Sequence, residues 1–396
     1  MSPLTRFRCS ALALAFAALG CSGEPESPAD GPGGGASSGG SGAGGGSGGA
    51  VGSGGSGGAA GAAGASGAGG SAGSGGAAGA DAGTGGGGGS GGVVPACSEL
   101  DPRSVPAELA VLPEAGEAPF VDALSAAKVS IDVMVYQMGY GGVLDALTQK
   151  AKAGVTVRVI LDASQKGVNQ KYHDVLVQAG ASVVWSDPDF TYMHAKLIVV
   201  DDAVAVISTG NYLKSFMLKE RNLVVTDRDP WDLANLSGLF DADFAGQSPS
   251  LDCTRLLVSP INAKARILAL IAGAKTSLVV ESMQFADTSV KAAVAARKAA
   301  GVDVRVILAN PSWIDANQSA ATFLASQGIP ARWLGAPSVH VKAMVADGAR
   351  AYVGSENLSY TSLNKNREVG LVMTETAAVK AMVSTFEKDW ASATPF

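Results

Sequence analysis

The chain of 396 residues carries 29 Lys and Arg, 35 Asp and Glu and 3 His, which gives a formal net charge of −6. This acidic balance argues against a protein that holds long nucleic acids on a generally basic surface, although it is compatible with a locally basic cleft. None of the four cysteines belongs to a Cys/His cluster with the spacing of metal ligands, so the sequence predicts no metal site.

The first 21 residues have the layout of an export signal. Arg6 and Arg8 precede an apolar run from 11 to 20, which is too short to cross a bilayer as a permanent anchor. The run ends in Ala18-Leu19-Gly20-Cys21, which resembles the lipobox of bacterial lipoproteins, except that Ala18 stands where Leu is usual. We expect an exported protein, either a lipoprotein held on the outer membrane or cell surface by a lipidated Cys21, or a secreted protein.

Residues 22–96 are expected to form a disordered tether. Gly, Ser and Ala dominate from 33 to 92, and this composition cannot bury enough apolar surface to offset the entropy of ordering. The remaining chain is long enough for a substantial core. It keeps 27 basic and 31 acidic residues after the two basic and four acidic residues of the first 96 positions are set aside. Cys97 and Cys253 lie near the start of its two halves and could form a disulfide in an oxidising compartment.

Two predicted domains, 97–250 and 251–396, repeat one order of elements. Each has a strand, a helix, a β-branched strand that follows a Gly, a further helix, and a short strand that ends at Trp185 or Trp333. The first three elements of the two halves are predicted at 129–136, 143–153 and 154–161, and at 276–283, 290–300 and 301–308. Alternating strands and helices predict an α/β fold. We expect two similar α/β/α sandwich lobes related by a pseudo-twofold axis, with the active site at their interface.

After these elements, each half carries the same polar signature at a constant offset of 146 residues. Two of the three histidines belong to it. The alternative, that His and Lys are surface residues without a function on two hairpins, is therefore a poor explanation for the pattern. His and Lys are two apart on a predicted strand and therefore share a face. The repeated positions are His194, Lys196, Asp201 and Asn211 in the first half, and His340, Lys342, Asp347 and Asn357 in the second.

The two aspartates of the signature begin hairpin-turn signals, Asp201-Asp202 and Asp347-Gly348. We therefore predict a structural role in the turn or in packing for both carboxylates. In a two-residue hairpin, Thr209 and Ser355 would lie directly opposite the histidines, and opposed residues share a face of the sheet. The predicted register thus places a hydroxyl beside each imidazole.

These residue types suit the cleavage of a phosphodiester, which needs cationic or dipolar neutralisation of the phosphoryl oxygens, a nucleophile and a proton donor. The lysines supply positive charge, and the amides and hydroxyls supply neutral donors. One imidazole can attack phosphorus to form a phosphohistidine while the other protonates the departing alcohol. This chemistry requires neither a metal nor a cofactor.

The paired His-x-Lys-x4-Asp motifs, with Gly-Ser-x-Asn downstream, resemble the phospholipase D superfamily over about 119–390. The resemblance implies two α/β/α lobes, an active site between them and a covalent phosphohistidine. This sequence departs from the family pattern in the first half, where Thr209 replaces Ser. The residues that it implies are catalytic His194, His340, Lys196 and Lys342, and phosphate-binding Asn211, Asn357 and Ser355, with Thr209 in the corresponding place.

The next strand carries the residues expected to orient the histidines, and here the halves differ. Glu368 stands in the second half where Asn222 stands in the first, and Glu220 is an alternative on the same strand face as Asn222. A carboxylate behind His340 would raise its pKa and suit a general acid, whereas an amide behind His194 would leave a neutral nucleophile. We therefore predict that His194 is the nucleophile.

The substrate is open between phospholipid and nucleic acid. The acidic body and the predicted export favour hydrolysis of a phospholipid head-group ester by a monomer, with an extracellular nuclease as the alternative. Phosphatidyl transfer uses the same intermediate, and the sequence does not separate it from hydrolysis. Residues 136–140 and 283–285 could line an apolar pocket mouth or pack in the core, and His173 is expected to be solvated.

Overall fold

The computed structural model describes residues 97–251 and 253–396. The predicted export signal, with Cys21, and the predicted tether lie outside the described residues. Cys97 and Cys253 form a disulfide with a Cα–Cα distance of 5.2 Å. Within the described part of the chain, every helix is too short or too polar to cross a membrane.

The first half of the described chain alternates strands and helices, with a short 3₁₀ turn at Ala163–Gln165. Its elements are β1 Glu108–Leu112, α1 Ala118–Ala126, β2 Ser130–Val135, α2 Gly142–Lys152, β3 Thr156–Leu161, α3 Lys166–Gln178, β4 Ser182–Trp185, β5 Lys196–Val200, β6 Val204–Ser208, α4 Lys214–Met217, β7 Glu220–Asp227 and α5 Pro230–Phe244.

The second half repeats this order. Its elements are β8 Leu257–Ser259, α6 Ala263–Ala272, β9 Ser277–Ser282, α7 Thr288–Ala299, β10 Asp303–Ala309, α8 Ala316–Ser326, β11 Ala331–Leu334, β12 Ser338–Val339, β13 Lys342–Ala346, β14 Arg350–Gly354, α9 Tyr360–Asn364, β15 Glu368–Met373, α10 Thr376–Ser392 and β16 Thr394–Pro395.

The predicted strands and helices lie within one or two residues of the observed ones. Gly154 and Gly301 follow α2 and α7 with φ of +88° and +86°. This left-handed conformation is favourable for glycine and ends the helix, after which the β-branched strand begins.

Each half forms one mixed sheet, so the predicted α/β class is confirmed. The first sheet has the order β1-β7-β6-β5-β2-β3-β4, and the second has the order β16-β11-β10-β9-β13-β14-β15-β8. In the first sheet β2, β3 and β4 are parallel, whereas β5, β6 and β7 run antiparallel to their neighbours.

Three apolar cores hold the layers together. One packs α1, α2 and α3 on the outer face of the first sheet, and a second packs α6, α7 and α8 on the second sheet. The third core lies between the sheets, where α5 and α10 contribute Leu236, Phe240, Met382 and Phe386. Each sheet therefore has helices on both faces, as in an α/β/α sandwich.

The two lobes also exchange short segments of backbone. Strand β12 of the second half pairs in parallel with β7 of the first, with Ser338 opposite Glu220. A matching bridge joins Met193 of the first half to Arg367 of the second. Both exchanged segments directly precede a signature histidine, so the exchange brings the two histidines to the boundary between the lobes.

Candidate active site

Each signature hairpin is fixed at its turn by an aspartate, Asp201 in the first half and Asp347 in the second. The Asp201 carboxylate accepts hydrogen bonds from the backbone N–H groups of Lys128, Val129 and Ser130 at 2.7–2.8 Å. Asp347 accepts the corresponding bonds from residues 275–277. This geometry matches the predicted turn role, because each carboxylate ties its hairpin to the start of a neighbouring strand.

The predicted hairpin register is wrong by one residue. Val200 pairs with Val204, and Ala346 pairs with Arg350, so each loop has three residues and not two. The first two residues of each loop have φ between 48° and 60°, the left-handed region, and a third residue completes the turn. Consequently Thr209 and Ser355 do not lie directly opposite the histidines.

The two hydroxyls instead contact the next strand of their own lobe. Thr209 Oγ1 accepts a hydrogen bond from Leu223 N at 3.0 Å and donates to Asn222 Oδ1 at 2.9 Å. Ser355 Oγ accepts the equivalent bond from Val369 N at 3.0 Å. Thr209 therefore orients Asn222, and a direct contact of either hydroxyl with phosphate remains a prediction.

Both histidines are held by the opposite lobe through backbone and side chain. His194 N donates to Arg367 O at 2.8 Å, and His340 N donates to Arg221 O at 3.0 Å. The His194 Nδ1 lies 2.8 Å from Glu368 Oε2. The two rings are almost fully buried, at 6% and 1% exposure, so their orientation depends on these contacts.

The predicted pairing of histidines with orienting residues is reversed. The His340 Nδ1 lies 3.1 Å from Asn222 Oδ1 and 3.5 Å from Glu220 Oε2. The carboxylate of Glu368 therefore supports His194, and the amide supports His340. The prediction failed because it placed each partner behind the histidine of its own half, whereas the lobes exchange segments at this point.

The two lysines are fully buried and lie against main-chain oxygens. Lys196 Nζ donates to His194 O and lies 5.4 Å from the centre of the Tyr136 ring. Lys342 Nζ donates to His340 O at 2.9 Å and to Thr209 O, on the other lobe, at 3.1 Å. The two buried ammonium groups, one from each lobe, bring positive charge to the interface, and this charge attracts an anion.

The signature asparagines are buried with unsatisfied polar atoms. Among the described residues, neither the nitrogen nor the oxygen of the Asn211 side-chain amide has a hydrogen-bond partner, and the same holds for Asn357 Oδ1. Buried polar atoms in native proteins are nearly always paired. These two amides are therefore suited to contact a polar ligand, as predicted for a phosphoryl group.

The pKa of each signature histidine depends on the signature lysines of both lobes. Burial and Lys196 lower the pKa of His194 to about 4, although Glu368 partly opposes the shift. Burial, Lys342, Lys196 and His194 lower the pKa of His340 well below its usual value. Both rings are therefore neutral at pH 7 without substrate, and each lies within the field of the other lobe's lysine.

The carboxyl groups behind the rings behave differently. Burial opposes ionisation of Glu368, but His194 and Lys196 outweigh it and lower the pKa of Glu368. Burial raises the pKa of Glu220 to about 7, although Asn222 and the two lysines oppose the shift. Glu368 is thus a fixed charge, whereas Glu220 can hold or release a proton near neutrality.

Residues 120–245 and 267–390 each match the family model described as "Cardiolipin synthase, PLD-like domain". Together these matches cover more than half of the chain. The chain belongs to the phospholipase D-like family. The family resemblance of the sequence is therefore confirmed, and both lobes carry a copy of the domain.

Two curated relatives and one solved structure resemble this phospholipase D-like chain. Cardiolipin synthase from Clostridium perfringens strain SM101 is 26% identical over 295 residues, which are 62% of this chain and 61% of the relative. Mitochondrial cardiolipin hydrolase from Homo sapiens is 30% identical over 146 residues, 34% of this chain and 58% of the relative. The chain thus spans about three fifths of the length of these relatives.

Phosphatidylserine synthase from Haemophilus influenzae Rd KW20 has the same fold, with a TM-score of 0.59. The match covers 73% of this chain and 87% of that protein at 13% sequence identity. At this identity, the likeness concerns the fold alone.

Aromatic rings flank both histidines of the phospholipase D-like site. The Tyr136 ring centre lies 4.9 Å from that of His194 and 5.6 Å from that of Tyr192. Trp313 stacks near His340 at 6.0 Å. Tyr136 is among the residues expected at a pocket mouth, whereas Tyr192 and Trp313 were not predicted. Trp313 lies in a loop far from the signature along the chain.

The remaining residues proposed for a pocket mouth divide between two environments. Met283 Sδ lies 3.7 Å from Lys342 Nζ, close to the site. Met138 and Phe285 are buried in the outer cores, and Tyr140 is 64% exposed. The alternative of core packing is therefore right for Met138 and Phe285.

Two matching ion pairs across the lobes were not predicted from the sequence. Arg221 pairs with Asp389 through two contacts of 2.6 and 2.9 Å, and Arg367 pairs with Asp243 through contacts of 2.8 and 3.0 Å. Both pairs are related by the offset of 146 residues, which was the signal available in the sequence. Because each arginine also accepts a histidine N–H on its carbonyl, these pairs fix the backbone behind the site.

No group of three or more His, Cys, Asp or Glu in 97–251 and 253–396 is arranged to hold a metal ion.

The third histidine, His173, is not simply solvated. It stacks on Trp185 at 5.1 Å, in nearly parallel planes, and pairs with Asp174 at 3.0 Å. Among the described residues, the partners of His173 are Asp174 and Trp185, and neither belongs to the signature.

Proposed function

We propose that this chain transfers a phosphatidyl group between alcohols, in the manner of a cardiolipin synthase, through a covalent phosphohistidine. The observation that carries the proposal is the convergence of two neutral imidazoles and two buried lysines from equivalent lobes. The match to cardiolipin synthases over 62% of the chain supports a phospholipid substrate. Since one chain supplies both halves of the site, we propose that a monomer is active.

In the first step, His194 Nε2 attacks phosphorus and forms a P–N bond, while the bond from phosphorus to the head-group oxygen breaks. Glu368 holds the Nδ1–H of His194, so the lone pair on Nε2 faces the site, and its charge stabilises the cationic phosphohistidine. Lys196 and Lys342 neutralise the phosphoryl oxygens. The support for His194 as nucleophile is therefore the carboxylate behind it, and not the amide that the sequence suggested.

His340 supplies the proton that the departing alkoxide needs. Its pKa is low in the free enzyme partly because two lysines face it. A bound phosphodiester anion offsets those lysines and raises the pKa of His340, so the ring gains a proton as substrate binds. In the second step, His340 takes a proton from an acceptor alcohol, whose oxygen attacks phosphorus and releases His194.

Hydrolysis of the phospholipid head-group ester is the second candidate, with water in place of the acceptor alcohol. The 30% identity of a cardiolipin hydrolase to part of the chain favours it. The two reactions share every step up to the phosphohistidine. They differ only in which nucleophile reaches that intermediate.

Phosphatidylglycerol vesicles, with a chelator present, distinguish these reactions in the full-length protein. We expect cardiolipin and free glycerol as products, and no product from an H194N/H340N control. Phosphatidic acid in place of cardiolipin would favour hydrolysis. Cleavage of plasmid DNA with the lipid left intact would instead identify an extracellular nuclease.

We also propose that the chain is exported and held at the membrane by a lipidated Cys21, close to such a substrate. The support is the sequence Ala18-Leu19-Gly20-Cys21 after a short apolar run. Incorporation of labelled palmitate into the wild type but not into C21S tests this. A wild-type protein that is released without label would show plain secretion.

A further inference from the structure

The segments that follow the two signature hairpins carry the same polar residues in opposite order. Residues 220–222 read Glu-Arg-Asn, whereas residues 366–368, at the offset of 146, read Asn-Arg-Glu. The arginine keeps its place in both halves, so an insertion does not account for the difference. The carboxyl group and the amide are two residues apart in each half, and alternate residues of an extended chain share a face.

Glu220 lies beside His340 together with Asn222. The Glu220 Oε2 lies 3.5 Å from His340 Nδ1 and accepts a hydrogen bond from Asn222 Nδ2 at 3.3 Å. The Asn222 Oδ1 lies 3.1 Å from the same Nδ1 and accepts a hydrogen bond from the Thr209 hydroxyl at 2.9 Å. Because an amide oxygen can only accept, Nδ1 of His340 carries the proton and Nε2 of the neutral ring carries the lone pair.

The exchange of segments between the lobes fixes Glu220 in this place. Ser338 of β12 pairs with Glu220 of β7, and His340 N donates to the carbonyl oxygen of Arg221 at 3.0 Å. Glu220 is buried, with 6% of its surface exposed. The fold therefore sets the distance between this carboxyl group and the imidazole ring.

His194 has the same two kinds of partner in the other order. The Glu368 carboxylate contacts His194 Nδ1 directly at 2.8 Å, and Asn366 Nδ2 donates to the second oxygen of that carboxylate at 3.0 Å. At His340 the amide makes the shorter contact and the carboxyl group makes the longer one. Each imidazole thus has a carboxyl group and an amide from the opposite lobe.

The charge of Glu220 depends on the groups that face it. Burial raises the pKa of Glu220 to about 7, while Asn222, Lys342 and Lys196 oppose the shift. In the free site below this pH, a neutral carboxylic acid therefore stands beside the neutral ring of His340. Protonation of the ring would place a cation next to the acid, and a neighbouring cation favours the carboxylate form.

We propose that Glu220 is the counter-ion of His340, a positioning residue whose carboxylate stabilises the protonated ring in both steps of the reaction. This inference rests on the proposed function, in which His340 is the acid and the base. Glu220 acts through His340 and does not touch the substrate. A carboxyl group then supports each histidine, although the order of Glu and Asn along the chain differs between the lobes.

The proton of the pair is conserved through the reaction. As the substrate binds, Glu220 Oε2 releases its proton to solvent and His340 Nε2 takes one up. The Nε2–H bond then breaks while the O–H bond of the departing alcohol forms. In the second step Nε2 takes the proton of the acceptor alcohol, Glu220 again stabilises the imidazolium, and product release returns the proton to Glu220 through solvent.

Replacing Glu220 by glutamine tests this role through the pH profile. In the wild type the pair loses its proton as the pH rises through about 7, so kcat/KM should fall above that pH. E220Q has no carboxyl group to hold the proton, so its decline should begin at lower pH. At pH 7 its kcat should be roughly 10- to 100-fold below that of the wild type, at nearly unchanged KM. Unchanged activity, or a loss of equal size at every pH from about 5 to 8, would overturn the proposal.

Two controls separate the proton from the geometry of the site. A phosphatidyl ester of p-nitrophenol needs no protonation of its leaving group, so E220Q should release the first equivalent of nitrophenol at nearly the wild-type rate. E281Q removes another buried carboxyl group, whose pKa is raised to about 8 by burial and Asp389, and should keep the wild-type pH profile. Slow release of the first nitrophenol by E220Q would assign the loss to a distorted site and reject the counter-ion.

The imidazole resonances give a second test that requires no turnover. The chain has only three histidines, so each ring can be followed by NMR through a pH titration. Ionisation of Glu220 beside Nδ1 should give the His340 ring an inflection near pH 7, which E220Q abolishes, while the His194 resonances stay the same in both proteins. An inflection that survives in E220Q, or that is absent from the wild type, would overturn the inference even if the lipid reaction proposed above were correct. The expected inflection in a protein that leaves every phosphodiester intact would support the pairing of Glu220 with His340 and reject the proposed function.

Discussion

The two lobes present the same hairpin to the site but support it differently. His194 is backed by a carboxylate at 2.8 Å, whereas His340 is backed by an amide at 3.1 Å, with Glu220 at 3.5 Å. Each supporting residue comes from the other lobe. The duplication thus places one imidazole at the same position of each lobe, and the segments exchanged between the lobes give the two imidazoles different partners. Neither half of the chain contains a complete site.

Removing either histidine is expected to have the largest effect, and the two losses should differ in kind. H194N should lose at least about 10⁴-fold in turnover and form no covalent adduct, because the P–N bond cannot form. H340N should lose a similar factor with natural lipids. With a phosphatidyl ester of p-nitrophenol, which leaves without protonation, H340N should release nitrophenol once and accumulate phosphohistidine.

Peptide mapping of the trapped adduct decides between the histidines. The matched control is H173N, which changes the one histidine outside the site and should behave like the wild type. An adduct on His340, formed by H194N, would reverse the assignment of nucleophile and acid.

The supporting residues give the next largest effect. E368Q removes the charge behind His194 and permits the wrong tautomer, so we expect a loss of about 10²- to 10⁴-fold in kcat. N222A leaves Glu220 near His340, so we expect a loss of about 10-fold. Steady-state kinetics on one lipid substrate measures both. Equal losses in the two variants would show that the lobes are equivalent in function.

The sequence was sufficient to predict the polar residues of both signature hairpins and the fold class. The offset of 146 residues identified both histidines, both lysines and both asparagines, and the alternation of strands and helices identified the fold class. Such predictions succeed because strand parity and turn chemistry are local properties. The turn position of Asp201 could be predicted in the same way, whereas its hydrogen bonds to residues 128–130 depend on the tertiary fold.

The partners of each histidine could not be predicted in this way. Glu368 is 174 residues from His194, and its assignment depends on which lobe supplies the neighbouring strand, which is a property of the tertiary fold. The hairpin register was missed for a smaller reason. Asp-Asp and Asp-Gly are compatible with loops of two or three residues, and one added residue shifts every opposed pair.

The cross-lobe ion pairs should differ in their contribution to stability. Arg367 contacts Asp243 as its one carboxylate partner among the described residues, whereas Arg221 contacts both Asp389 and Glu114. D243N would leave Arg367 without a counter-charge, and we expect a loss of about 3 kcal/mol in the free energy of unfolding. D389N should cost less, about 1 kcal/mol, because Glu114 remains. Urea unfolding at pH 7 measures both, and a greater loss for D389N would contradict this difference between the lobes.

An effect smaller than that of D243N is expected at Glu281, which stands where the first lobe has the apolar Met134 at the same position of its strand. Burial and Asp389 raise its pKa to about 8, Arg221 opposes the shift, and its Oε1 has no hydrogen-bond partner in the described structure. The folded state therefore binds this proton more tightly than the unfolded state does, so stability falls as pH rises from about 4.5 to 8.

Replacing Glu281 by the first lobe's residue should remove this pH-dependent loss. We expect E281M to be more stable than the wild type by about 1–2 kcal/mol at pH 8, and by less at pH 5, where the wild-type carboxyl is neutral when folded. Urea unfolding of both proteins at the two pH values checks the sign. A gain that is equal at pH 5 and pH 8 would mean that packing, and not the buried acid, distinguishes the two strands, because only ionisation makes the difference depend on pH.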